Sequence, residues 1–142
     1  MDANAEYLNY IYQNAQMGTE TIGQLLDIVE EKEFKDILNS QYKEYEAIEK
    51  EAERILREKS KEEKDISLYQ KVSAYIMINV KTLTDKSASH IAEMMMQGST
   101  MGVIDIIRNN RKYQEADKEI VSLGQRLLKF EENNISECKK FI

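Results

Sequence analysis

Proline and tryptophan are absent from the 142 residues, and cysteine and histidine each occur once. Because proline breaks the hydrogen-bond ladder of a helix, its absence favours long helices. A single cysteine excludes an internal disulfide and any zinc or iron–sulfur site that is built from several cysteines. A single histidine excludes a metal centre that needs two imidazoles from one chain.

Charge and hydropathy exclude further classes of protein. Twenty Lys and Arg residues stand against 26 Asp and Glu residues, a net charge of −6, which argues against nucleic acid or an anionic membrane surface as a partner. No apolar run approaches the roughly 20 residues of a membrane span, and the start MDANAEYLNY lacks the pattern of a signal peptide. We therefore expect residues 1–142 to form one soluble, cytoplasmic domain.

Apolar side chains recur at helical spacing along most of the chain. The stripe of the second helix includes Gln41 and Tyr45, and that of the last helix includes Phe130 and Asn134. The acidic residues after Val29 and the helix-starting residues 84–89 mark breaks. The pattern predicts helices over 4–30, 32–58, 88–110 and 113–140, with a shorter helix over 67–83.

The segment 90–109 has apolar residues around more than half of its circumference, so we expect the most buried helix there. Asp105 lies within this apolar arc and is predicted to be buried. A buried carboxylate needs a partner or its pKa rises. Asp105 is therefore either a structural residue bonded to a Tyr or an Arg, or a functional carboxylate in the core.

Glycines inside predicted helices suggest close packing. Gly18, Gly98 and Gly102 each cost about 1 kcal/mol relative to Ala, which a close helix–helix approach or a small-ligand pocket would offset. The residues around Gly18 and Gly98 also resemble each other in sequence, which indicates that the chain contains two similar helical hairpins. Two hairpins with a long connection predict a four-helix bundle with one crossover.

Short motifs support this architecture. The first half carries Leu8-Asn9, Gly18-Thr19-Glu20 and an acidic turn before Phe34, and the second carries NVKTLTD at 79–85, His90-Ile91-Ala92-Glu93 and Gln97-Gly98. Together they resemble an uncharacterised bacterial family of ferritin-like four-helix-bundle proteins. The resemblance implies an all-α, ferritin-like topology with a short extra helix in the crossover. It also implies a carboxylate after the mid-helix glycine in both halves. Glu20 follows Gly18 in the first half and matches this expectation. In the second half Ser99 and Thr100 follow Gly98, where the family would have an acidic residue.

A dinuclear iron or manganese centre in such a bundle uses single Glu residues and Glu-x-x-His pairs. A Glu-x-x-His pair needs His three residues after Glu. Ala47 stands at that position after Glu44, and Asn134 stands there after Glu131. His90 precedes Glu93 in the reversed order, and Glu20 lies on the solvent side of its stripe. The candidate metal ligands are therefore Glu20, Glu44, His90, Glu93 and Glu131, and the simpler interpretation is a set of solvated side chains.

No pattern of catalytic residues emerges, and we assign no cofactor. Cys138 lacks a neighbouring His that would activate it. The methionines at 94–96 and Met101 fit either a core or a binding face, and exposed tyrosines near the amino end would suit a homodimer. We predict a non-enzymatic helical protein that acts by self-association or partner binding. The alternatives are a ferritin-like metal-binding or oxidase protein with a degenerate carboxylate centre, and a small-ligand sensor.

Overall fold

The computed structural model describes residues 3–62 and 83–142. These residues form four α-helices, a short 3-10 helix and no strand, which confirms the all-α prediction for the described chain. The helix predicted over 67–83 falls, except for Leu83, outside the described residues. The helices are α1 (Ala3–Leu26), α2 (Lys32–Glu62), α3 (Ala88–Lys112) and α4 (Lys118–Cys138), followed by the 3-10 helix Lys139–Phe141.

Local charge and capping determine where the helices begin and end, and some of these ends differ from the prediction. α1 ends at Leu26 rather than at 30, because the carboxylates of Glu30 and Glu31 would lie at the negative end of the helix dipole. α3 begins as predicted, since the hydroxyl of Ser87 accepts a hydrogen bond from the backbone N–H of His90 at 3.3 Å. α4 begins at Lys118 rather than at 113, after a turn that caps α3.

The helices pack as two hairpins, α1 with α2 and α3 with α4, which meet mainly where α2 and α1 contact α4. At one end of the bundle Lys59, near the end of α2, forms an ion pair with Asp117, just before α4. At the other end the rings of Phe34 and Phe141 lie 4.7 Å apart. α2 and α4 are thus antiparallel, so α2 and α3 run in the same direction.

One close approach explains a helical glycine. A Cβ atom on Gly18 would lie 2.5 Å from the ring of Tyr45, so the two helices could not keep their present distance with a larger residue there. The predicted role of this glycine in close packing is confirmed. A Cβ on Gly23 would be 3.8 Å from Tyr42, which is an ordinary contact. The core around this contact consists of fully buried residues that include Tyr7, Leu8, Ile11, Ile22, Phe34, Leu38, Tyr45, Ile48, Ile55 and Ile91.

The prediction that α3 is the most buried helix is wrong. Met101, Ile104 and Ile107 are 58%, 47% and 37% exposed. A helix of a four-helix bundle buries one face, so apolar residues spread around the circumference cannot all reach the core.

Asp105 is exposed, which corrects the prediction that it is buried. Ile106 takes the core position at that turn of α3 and is fully buried. Asp105 lies at the rim instead. Burial raises the pKa of the Tyr10 hydroxyl, and the nearby negative charge of Asp105 raises it further.

None of the helices in the described part of the chain is long and apolar enough to cross a membrane.

Candidate functional site

A carboxylate lies in the interior of the bundle. Glu131, on the inner face of α4, is 1% exposed. The hydroxyl of Tyr45, from α2, donates a hydrogen bond of 2.5 Å to its Oε1 atom. A Cβ atom placed on Gly102 of α3 would be 4.0 Å from its Oε2 atom, so the carboxylate faces the backbone of the neighbouring helix.

Burial sets the protonation of this group. The loss of water raises the pKa of Glu131 from 4.5 to about 7, although the hydroxyls of Tyr45 and Ser99 partly oppose the shift by stabilising the charged form. Near neutral pH the side chain therefore exists as both acid and carboxylate. It can take up or release a proton, or attract a cation, within the physiological range.

Other polar side chains accompany Glu131. Gln41, Ser99 and Asn134 are each 2% exposed or less, and with Tyr45 and Glu131 they form what we call the buried polar cluster. Four atoms of the cluster have no hydrogen-bond partner among residues 3–62 and 83–142: Glu131 Oε2, Gln41 Oε1, and Nδ2 and Oδ1 of Asn134. An unpaired buried polar atom costs about 1–3 kcal/mol, so this cluster opposes folding unless it is satisfied by something else.

The predicted metal ligands do not come together. Glu20 and Glu93 are exposed, and His90 is half-buried in the first turn of α3. Glu44 accepts hydrogen bonds of 2.8 Å and 3.1 Å from the guanidinium of Arg126. Glu131 is the one predicted ligand that lies in the described interior. No group of three His, Cys, Asp or Glu side chains in the described chain could hold a metal ion, so these residues do not fit a dinuclear centre.

Part of the buried polar cluster is visible in the sequence. Gln41 and Asn134 occupy stripe positions, which predicted that they face inward, and both are 1% exposed. The predicted apolar stripe of α4 includes Phe130 and not Glu131, because the prediction followed hydropathy and Phe is the more apolar residue. The spacing of Leu127, Glu131 and Asn134 was the available signal, since it places all three on one face.

The outer face of α3 is a second candidate site. The exposed apolar residues Met101, Ile104 and Ile107 lie at its centre. The exposed carboxylate of Glu93 lies toward the start of α3, and the exposed guanidinium of Arg111 lies in its last turn. We call this surface the α3 face. Exposed apolar residues grouped on one face are typical of an interaction site.

The comparisons with known proteins leave the family open. Family models, curated proteins and solved structures were compared with this chain, and none of them matches it.

Proposed function

We propose that this protein is non-enzymatic and cytoplasmic and acts by self-association, with the α3 face paired against the α3 face of a second copy. The observation that carries the proposal is the exposure of Met101, Ile104 and Ile107. Removal of this apolar surface from water favours association by roughly 25 cal/mol per Å².

The charges on the α3 face favour an antiparallel pair. Glu93 and Arg111 are five turns apart, about 27 Å along the helix. A two-fold axis near the middle of α3 would bring Glu93 of each copy close to Arg111 of the other. The same axis would stack Met101 and Ile104 of both copies at the centre of the interface. A parallel pair would place like charges together at both ends, so the antiparallel arrangement is preferred.

The expected affinity is modest. One helix pair buries less than the roughly 1,200–2,000 Å² of a stable interface, so we expect a dissociation constant on the order of micromolar. Sedimentation velocity over a concentration series should therefore show a monomer–dimer equilibrium. A wild-type protein that stays monomeric at about 100 times the expected constant would contradict the proposal.

Substitutions can locate the interface. Ile104→Glu places a charge at its centre and should weaken the dimer at least about tenfold. Ala47→Glu, at an exposed position of α2, is the matched control and should leave the dimer unchanged. Glu93→Arg and Arg111→Glu should each weaken the dimer, and the double variant should restore it. If the double variant dimerises no more tightly than the single variants, the antiparallel arrangement is wrong.

We further propose a ferritin-like topology, as the resemblance to that family implies. It is supported by the parallel course of α2 and α3, since a ferritin-like bundle has one connection that returns along its length. Disulfide cross-linking of introduced cysteine pairs in α2 and α4, and in α1 and α3, would test the order of the helices.

A second candidate function is that of a ferritin-like metal-binding or oxidase protein with a degenerate carboxylate centre. The observation that favours it is the burial of Glu131, with Asn134 one turn later, at the core of α4. One buried carboxylate is far fewer than the dinuclear pattern uses. Metal analysis after expression with iron and manganese tests this candidate: about two ions per chain would support it, and none after dialysis would contradict it.

A further inference from the structure

A groove lies between α2 and α4, on a surface different from the α3 face. Its volume is about 610 Å³, within the range of pockets that hold small ligands. The residues that line it include Gln41, Lys129, Phe130, Asn133 and Glu137. Phe130 is half-buried and supplies an apolar wall, with its ring edge-to-face against Tyr45 at a centroid distance of 4.6 Å.

The most deeply buried lining residue offers an unused hydrogen-bond acceptor. Gln41 is 1% exposed, and its Oε1 atom has no hydrogen-bond partner within the described chain. Its Nε2 atom donates a long hydrogen bond, 3.4 Å, to Oε1 of Glu137. Because this oxygen is shielded from solvent, the Gln41 side chain has to turn toward the groove before an N–H group of a ligand can donate to it.

The groove also carries two charges that lack ion-pair partners in the part of the chain that the structure describes. Glu137 accepts hydrogen bonds only from the amides of Gln41 and Asn133, at 3.4 Å and 3.3 Å, and no described cation pairs with it. Lys129 likewise has no ion pair within the structure as described. Arg126 differs, because Glu44 holds it in a bidentate pair. The groove therefore presents a carboxylate and an ammonium that have no ion-pair partner among residues 3–62 and 83–142.

The spacing of these charges indicates the size of the ligand. Glu137 and Lys129 are eight residues apart on α4, about 12 Å along the helix axis. An extended tripeptide measures about 10 Å from its amino group to its carboxylate, and both side chains can turn toward it. A free amino acid is too short to reach both charges.

We propose that this groove binds a short peptide of about three residues with free termini. The amino terminus pairs with Glu137, the carboxylate pairs with Lys129, a backbone N–H donates to Gln41 Oε1, and a side chain packs on Phe130. The site is independent of the α3 face, so the monomeric Ile104→Glu variant should bind the peptide as the wild type does.

Isothermal titration calorimetry with trialanine tests the proposal. We expect saturable binding, with at least about tenfold weaker binding of alanine and of acetylated, amidated trialanine. Lys129→Gln and Glu137→Gln should each weaken trialanine binding by about tenfold, because each removes one terminal ion pair. Glu132→Gln, an exposed neighbour on α4 that does not line the groove, is the matched control.

Two results would overturn the proposal. The first is the absence of heat from trialanine at concentrations up to about 10 mM, with circular dichroism showing a folded protein. The second is equal binding of the blocked and free peptides, which would show that the two charges do not recognise the termini.

Discussion

Replacing Glu131 by Gln should stabilise the protein at alkaline pH. The substitution keeps the shape of the side chain and removes the buried negative charge. The hydroxyl of Tyr45 can still donate to the amide oxygen, and the new amide N–H group lies one helical turn from the unpaired Oδ1 of Asn134. The variant therefore loses little hydrogen bonding and avoids the cost of burying a carboxylate.

The magnitude follows from the pKa of Glu131, which rises from 4.5 to about 7 on folding. Between these two values the unfolded chain has released its proton and the folded protein has kept it. Unfolding then releases a proton, so the free energy of unfolding falls as pH rises through this window. The total loss is about 3 kcal/mol, complete above pH 7. Glu131→Gln should recover much of it at pH 8 and almost none at pH 4.5.

Urea unfolding monitored by circular dichroism at pH 4.5 and pH 8 measures this difference. At pH 8 the melting temperature of the variant should rise by roughly 10 °C. Glu132→Gln, whose side chain is exposed on the same turn, controls for the change in net charge and should show no such pH dependence. A Glu131→Gln variant that is less stable than wild type by the same amount at both pH values would refute the argument, because the carboxylate would then be favourable where it lies.

Three further predictions concern packing and the thiol. Gly18→Ala should lower the free energy of unfolding by about 1–2 kcal/mol, because its Cβ would meet the ring of Tyr45, whereas Gly23→Ala should raise it by up to about 1 kcal/mol in the same urea experiment. Tyr45→Phe should destabilise the protein by about 1–3 kcal/mol, and more at pH 8 than at pH 5, because the carboxylate loses its donor; an equal loss at both values would contradict this. Burial raises the pKa of the Cys138 thiol to about 11, so a thiol reagent at pH 8 should label it only in urea, and rapid labelling of the native protein would show that the end of α4 is open.

The four described helices could be predicted from the sequence because their signal is local. Apolar spacing and the absence of proline indicate helices wherever they occur, and Ser87 marks the start of α3 correctly. Gly18 could be read as a packing contact for the same reason, since a glycine inside a helix needs a compensating neighbour.

The orientation of α3 could not be predicted, because it depends on the other helices. The apolar residues of α3 fill more than half of its circumference, so hydropathy alone does not show which of them reach the core. Met95 is buried and Met101 is exposed, although both are equally apolar. Asp105 lies near the helical angle of Gly98, which is buried, and yet Asp105 reaches solvent.

The buried polar cluster could be predicted from the sequence only in part. Gln41 and Asn134 follow the spacing of the core, but the burial of Glu131 runs against its charge. What permits it is the hydroxyl of Tyr45, a residue 86 positions away in the sequence. Such long-range pairing leaves no local trace.

The two ends of the described chain lie at opposite poles of the molecule. Asn4 accepts a hydrogen bond from the backbone of Asp117 at one pole, while Phe141 packs on Phe34 at the other. Ile142 lines a shallow pocket with Met96 and Met101, beside the α3 face. An affinity tag or fluorescent fusion appended after Ile142 would therefore shield the surface by which two copies are proposed to meet, whereas one attached ahead of Ala3 would leave that surface accessible.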